Sequence, residues 1–164
     1  DWDMVGGSYP DQLQYGYFPM ACQHCENPAC VKVCPVGATY KDPETGLVRQ
    51  DYDKCIGCRM CMSACPYNGV RSFNWEEPSY HLDFPVGDQD VAPHQKHVVE
   101  KCTFCWHRLA KGLAPACVEV CSARARIFGD ANDPDSEVSQ KLRERSSMRL
   151  LEDRETEPSV YFLV

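Results

Sequence analysis

Twelve cysteines in 164 residues, gathered into three groups with cysteine-free stretches between them, constrain this chain more than any other feature. The first group is Cys22-x2-Cys25-x4-Cys30-x3-Cys34 followed by Pro35, and the second is Cys55-x2-Cys58-x2-Cys61-x3-Cys65 followed by Pro66. The third runs Cys102-x2-Cys105-x11-Cys117-x3-Cys121, with Ser122 in the place of the proline. Thiols this dense, interleaved with twelve prolines and ten glycines, predict a loop-rich interior held by covalent or metal links rather than by long apolar helices.

The second group matches the bacterial ferredoxin run C-x2-C-x2-C-x3-C-P. A cubane [4Fe-4S] core needs four thiolates converging at tetrahedral directions. A tight loop with cysteines three apart supplies three of them before it runs away from the core. In two-cluster ferredoxins the fourth is the cysteine before proline in the other group. Proline there removes an amide donor and biases the preceding cysteine to an extended backbone, which suits a chain leaving one cluster to reach the next. The expected sets are therefore Cys22, Cys25, Cys30 and Cys65 for one cluster, and Cys34, Cys55, Cys58 and Cys61 for a second.

Residues 28–38, PACVKVCPVGA, realign with residues 115–125, PACVEVCSARA, so the third group copies the first. A copy of the first group needs a complement like the second, and no cysteine is left over to provide it. We expect the missing half upstream of Asp1, or else the last four cysteines hold one cluster or a zinc ion alone.

A net charge of -7 argues against nucleic acid as a partner and favours proteins with complementary surfaces. No apolar run approaches the roughly eighteen residues of a membrane span. The longest, Val160 to Val164, ends the chain, and a soluble subunit is expected. The start, DWDMVGGSYP, has neither the basic region nor the apolar core of a signal peptide, and Asp1 in place of methionine suggests that something upstream was removed or left out.

Local signals place the elements. Asn27 and Pro28 read as cap and first turn of a short helix over Ala29 to Val33, and Pro115 opens the equivalent turn. Ala38 to Tyr40 and Leu47 to Arg49 flank a turn and predict a hairpin, with further strands at Val70 to Phe73 and Arg126 to Phe128. Val138 and Leu142, four apart, mark an amphipathic helix over Asp135 to Arg145. The terminal SVYFLV is strand-like and apolar enough to want a covering surface. The expected layout is a two-cluster region over 1–73 with an N-terminal extension 1–17, and an aperiodic excursion over 74–95 that covers a cluster or meets a partner. The third cysteine group follows over 96–130, then a helix and strand tail over 131–164. The fold class is α+β, with ferredoxin-like halves related by an internal pseudo-twofold repeat.

From Phe18 onward the chain resembles the four-cluster electron-transfer subunits of molybdenum or tungsten bis-pyranopterin oxidoreductases, the group of the dimethyl sulfoxide and polysulfide reductases. The resemblance is carried by CQHCENPACVKVCPVGATY, DYDKCIGCRMCMSACPYNGVRSFN, VVEKCTFCWHRLAKGLAPACVEVC, RARIFGDANDPDSEVSQKL and EPSVYFLV. It implies that Cys102, Cys105 and Cys117 bind a third cluster completed by an upstream cysteine, that Cys121 completes a fourth, and that an intact subunit carries up to four. It further implies one-electron relay to or from a large molybdopterin catalytic subunit, with a membrane quinone-reactive subunit or a soluble donor at the other end. Export with a twin-arginine signal on the partner and residence in the cytoplasm both fit. The chain departs from the family pattern at Ser122, where proline is usual, and at Arg124, where glycine is usual.

Plainer readings stand beside these. The even cysteine count would suit disulfides, but the Cys-Pro endings have a rationale only in clusters. Structural zinc is a rival for the third group alone. His24 and His107, beside cysteines, are expected to pack or to support ligands rather than to be ligands. Lys54 and Lys101 precede cysteines in matching contexts, where a positive charge would raise a cluster's potential and a solvated surface lysine would not. Trp75, Tyr80, Phe84 and Trp106 suit an electron path or ordinary packing over the clusters. No nucleophile and base pair, phosphate loop or open metal site is apparent, so the chain is expected to be non-catalytic. The alternatives to a dedicated subunit are an autonomous soluble polyferredoxin and a zinc-stabilised interaction module.

Overall fold

The computed structural model describes residues 4–6, 12, 14–16, 19–84 and 86–164. The rest of the expected extension 1–17, with residue 18 and position 85 of the excursion, lies outside the described residues. Within them the regular structure is short throughout. Four antiparallel two-stranded sheets pair β1 (Met4–Gly6) with β2 (Gln14–Gly16), β3 (Thr39–Lys41) with β4 (Val48–Gln50), β5 (Arg71–Phe73) with β6 (Val99–Lys101), and β7 (Ser147–Met148) with β8 (Phe162–Leu163). Five helices join them: α1 (Ala29–Lys32), α2 (Met60–Ser63), α3 (Trp106–Leu109), α4 (Ala116–Glu119) and α5 (Glu137–Glu144). Strands and helices this short have little cooperative stability of their own, so side chains between them must hold the fold.

Those side chains include the cysteines. One core cluster contains Cys30, Val48, Cys61 and Val99, with Val31, Met62 and Phe73 against it. A second contains Tyr67, Val70 and Leu150, flanked by Cys25, Cys65 and Phe162 among others. Thiols of the first two groups are thus part of both apolar clusters.

The internal repeat is visible in the backbone. α1 follows Pro28 and α4 follows Pro115, each with an extended proline at its start and the second cysteine-bearing turn behind it. The hairpin of β3 and β4 forms one residue later than expected, with Tyr40 opposite Arg49. α5 is capped by Ser136, whose Oγ accepts from the Ser139 N–H at 3.1 Å, and Val138 and Leu142 are half-buried. The terminal strand finds its cover by pairing with β7.

Two local expectations are corrected. Asn27 does not cap α1: its side chain donates to the Glu155 carbonyl at 2.8 Å, and Pro28 takes the cap position. Residues 126–128 form no strand; Phe128 instead packs on Phe104, ring centres 5.6 Å apart, and the partner of β5 is Val99–Lys101. The 74–95 excursion is closed at its base by the Asn74 N–H to Val98 and the His97 N–H to Asn74, at 3.1 and 2.7 Å.

Candidate iron–sulfur centres

All three cysteine groups open on the same backbone device. The residue before the second cysteine has a left-handed φ in each: His24 at +43°, Gly57 at +69° and Phe104 at +58°. That bend turns the C-x2-C loop back on itself, so that both thiols face one side. Only Gly57 announces it in the sequence. A Cβ there would stand 2.5 Å from the His97 carbonyl oxygen, so glycine is required by space as well as by φ.

All twelve cysteines are free thiols. Cys34, Cys55, Cys58 and Cys61 line one pocket, walled by Ala38, Thr39 and Val99, and no other cysteine reaches it. Cys22 and Cys30 lie within electrostatic reach of both Cys25 and Cys65. Burial pushes the Cys25 thiol up, and Cys22 and Cys30 push the same way. Burial raises Cys65 to about 11, against a hydrogen bond at Tyr67, with Cys30 and Cys22 adding to the rise. The raised Cys25 and Cys65 thiols are held as thiolates by a positively charged core, whose binding releases their protons.

Among the described residues no three His, Cys, Asp or Glu side chains are close enough to hold a single metal ion. Zinc would draw its thiolates to about 3.8 Å from one another, from Zn–S bonds of about 2.3 Å in a tetrahedron. The Cys34 set surrounds a pocket rather than a point, as a core with one iron behind each thiolate requires. The residues present fit a [4Fe-4S] cluster at this set.

The last cysteine of each repeat is treated alike. The Thr39 N–H donates to Cys34 Sγ at 3.4 Å, and the Ala125 N–H donates to Cys121 Sγ at 3.3 Å. Burial pulls Cys34 up, but N–H donors of Thr39, Val36 and Ala38 outweigh it and set the thiol below its ordinary value. Cys121 is lowered by the Ala125 N–H above all, then by Arg126 and Ala123. Donors to sulfur stabilise the thiolate and are among the features that set a cluster's potential.

The third group is otherwise open. Cys102 and Cys117 are exposed, and Cys105 and Cys121 are half-buried. Cys102 lies within electrostatic reach of both Cys105 and Cys22, which places this group beside the first.

The supporting residues divide into those legible in advance and those missed. His24 is buried, and its Nδ1 accepts from the Val48 N–H at 3.2 Å. Burial, then Lys101, lowers its pKa to about 3, so at neutral pH it is uncharged with the proton on Nε2. It packs edge-on against Phe104 at 5.0 Å, and His107 packs against Trp106 at 6.4 Å. Lys54 is exposed and paired with Asp51 at 3.1 Å, whereas Lys101 is inside, its Nζ donating to the carbonyls of Val48 and Cys102. The aromatics do not share one role: Tyr80 and Phe84 are exposed, Trp75 leans on Phe73 and the Arg59 guanidinium, and Arg49 stacks 4.3 Å over Trp106.

Sequence reasoning missed the strap over the first group. Glu26 and Asn27 donate backbone N–H to Glu157 and Thr156 at 2.8 and 3.1 Å, and Ser159 donates to Gln23 at 3.0 Å. Thr156 shares a 2.9 Å hydroxyl contact with Tyr67, and its side chain also bonds the Cys25 thiol. It also missed Arg71, buried at 6% exposure among the thiols.

The 4Fe-4S dicluster domain family matches residues 13–81 and 89–131, so that the two stretches between them hold all three cysteine groups. Over 98% of its length the chain is 52% identical to a "Putative dimethyl sulfoxide reductase iron-sulfur subunit" of Halobacterium salinarum. It is 43% identical over 96% to a selenate reductase subunit of Mesobacillus selenatarsenatis, and 41% over 96% to the arsenate respiratory reductase iron-sulfur subunit ArrB of a Shewanella species. It spans 62%, 58% and 78% of those three proteins. With two thiol quartets gathered around the core and relatives of this kind along nearly its whole length, the chain belongs to the 4Fe-4S dicluster domain family, beside the iron–sulfur subunits of respiratory reductases.

Proposed function

We propose that this chain is a non-catalytic electron-relay subunit, with Cys22, Cys25, Cys30 and Cys65 holding one [4Fe-4S] cluster and Cys34, Cys55, Cys58 and Cys61 a second. The observation that carries the reading is the pocket whose four thiols come from two different cysteine groups. When bound, each cluster takes up and releases a single electron. The chain's own residues supply the thiolates, exclude water through the Val48, Val99 and Tyr67 packing, and offer N–H donors to sulfur. Electrons would enter and leave through neighbouring subunits. The partner set of this reading is a large molybdopterin catalytic subunit, with a quinone-reactive membrane subunit or a soluble donor opposite; the relatives' names, each a subunit of a reductase, support a reductase partner. Among the described residues no helix is long and apolar enough to cross a membrane.

We assign Cys102, Cys105 and Cys117 to a third cluster whose fourth ligand comes from outside these twelve cysteines, and Cys121 to a fourth. The openness of this group supports a completing segment over it. The regions 1–73, 74–95, 96–130 and 131–164 then serve as paired-cluster unit, excursion, half unit and tail.

Iron and acid-labile sulfide on anaerobically purified protein test the wiring. Cys65→Ser should remove about four irons from the site of Cys22, Cys25 and Cys30 and leave the other pocket loaded. Loss from the Cys55 site instead would mean that each group wires itself, and the crossed reading would be abandoned. One zinc per chain in place of iron at the third group would identify that group as a structural staple. Recovery of the chain in fixed ratio with a large molybdopterin protein supports the dedicated subunit; a loaded chain that runs alone in its native extract would make it a free polyferredoxin.

A further inference from the structure

In the antiparallel register of β5 and β6, Arg71 stands directly opposite Lys101. Two like charges facing each other across a ladder repel, and most such pairs are solvated or bridged by a carboxylate. Neither remedy is present. Arg71 is 6% exposed, Lys101 is half-buried with its ammonium turned inward onto two carbonyls, and among the described residues no Asp or Glu pairs with either. The Arg71 Nη1 donates to Gln50 Oε1 at 3.4 Å, an oxygen already taken by Thr39 Oγ1 at 2.6 Å, and the other side chain that bonds the guanidinium is the Cys30 thiol. Nη2 is buried with no hydrogen-bond partner at all. A guanidinium does not discharge in a protein, so an anion must answer it.

The groups facing it are thiols. The Arg71 charge acts on Cys30, Cys61 and Cys22, and also on Cys65, which makes three members of the first set and one of the second. Lys101 faces Cys22 and Cys30 of the first set and Cys102 of the third group. Both cations therefore lean toward one thiol set from the same side of the β5–β6 ladder.

We infer that Arg71 and Lys101 are the internal countercharge of the Cys22, Cys25, Cys30 and Cys65 set, and that they hold the reduction potential of the cluster there above that of its neighbour. The inference rests on the proposed cluster assignment. A four-thiolate cluster is an anion that gains one more negative charge on reduction. A fixed buried cation beside it stabilises the reduced form more than the oxidised one, and burial leaves that field poorly screened. Arg71 also reaches Cys61, so it bridges the two sets and has a smaller effect on the second.

The test is a dithionite redox titration followed by electron paramagnetic resonance on the full iron–sulfur protein in its native complex. Signals are assigned to sites with Cys25→Ser and Cys58→Ser, each of which empties one set. Arg71→Gln should lower the midpoint of the first cluster by about 59 mV or more, a tenfold change in a one-electron equilibrium, with a smaller fall at the second. Lys101→Gln should lower the first and leave the second in place, Arg71→Lys should keep most of the native potential, and Lys54→Gln, an exposed lysine beside Cys55, should move neither. Where Arg71→Gln loses iron from the first site, Lys101→Gln with full iron carries the same expectation. Native potentials in both Arg71→Gln and Lys101→Gln, with iron and sulfide complete, would overturn the countercharge and leave the cluster assignment standing. A native protein with no cluster at the first set would remove both.

Discussion

The first cysteine group and its copy in the third differ in surroundings far more than in backbone. Each places a four-residue helix after an extended proline, α1 after Pro28 and α4 after Pro115, and each directs an N–H at its last thiol. Yet Cys30 is buried where Cys117 is exposed, and Val33 is half-buried where Val120 is 78% exposed. The first copy has α2 and β3 against it and the 155–159 strap over it. Local sequence is thus enough to fold the thiol-presenting loop, whereas neighbours decide whether that loop becomes core.

The largest expected effect breaks the comparison at the equivalent cysteines. Cys30→Ala opens the buried centre shared with Val48, Cys61 and Val99 and should cost about four irons together with cooperative unfolding, read by iron analysis and near-ultraviolet circular dichroism. Cys117→Ala, at an exposed position, should leave the iron of the first two sets and their melting transition in place. Equal losses from the two substitutions would mean that the copies share one folding unit.

Next in size is Gly57→Ala. The left-handed φ and the 2.5 Å approach of the His97 carbonyl act together, and the substitution should cost about 2–4 kcal/mol in urea unfolding of the loaded protein. Gly37→Ala, at φ +64° with nothing within 4 Å of a Cβ, carries the backbone penalty alone and should cost about 1 kcal/mol. The difference between them separates the packing around Gly57 from the cost of a left-handed backbone alone.

Smaller again is the strap. Thr156→Val deletes the hydroxyl that meets Tyr67 Oη at 2.9 Å, leaving that phenol its 3.3 Å bond to the Leu150 carbonyl. A loss of about 1–2 kcal/mol is expected. The electron paramagnetic resonance signal of the Cys25 site should shift, because the same hydroxyl reaches that thiol, and the Cys58 site should not. A stability loss with both signals unmoved would make the strap a packing element without influence on the site.

What the sequence made legible was local or repetitive. The three groups, the proline-led helices, the β3–β4 hairpin and the Ser136-started helix all carry their signal within a few residues. The strap was invisible because Thr156, Glu157 and Ser159 meet Asn27, Glu26 and Gln23, far away in the chain, through backbone groups, which every residue type has. Arg71 was passed over because a charged residue in VRSF reads as the solvent side of a strand, and only the facing Lys101 and thiols show that it points inward. The expected strand at 126–128 failed for a tertiary reason: after the left-handed Arg124, Phe128 reaches Phe104 rather than a ladder. Left-handed His24 and Phe104 had no glycine to announce them, although alignment with Gly57 at the same place in its group would have found both.

That last point gives the smallest and sharpest test. Position 124 is the copy of Gly37, and both are left-handed, Gly37 at +64° and Arg124 at +49°. The turn has therefore been kept where its glycine has not, which identifies the left-handed bend rather than glycine itself as what the last thiol needs. The Ala125 and Arg126 amides that follow the bend are among those that lower Cys121, Ala125 most of all. Arg124→Gly relieves a penalty of about 1–2 kcal/mol for a residue with a Cβ and adds about 0.4–1 kcal/mol of unfolded-chain entropy on the other side. The net expectation is a gain of about 0.5–1 kcal/mol in urea unfolding, with the iron of the first two sets unchanged. Arg124→Pro cannot adopt a positive φ and should release Cys121 from its amide donors, making that thiol react more slowly with iodoacetamide at neutral pH as its pKa rises. A destabilising Arg124→Gly would show that the arginine side chain, and not the bend, holds this end of the repeat.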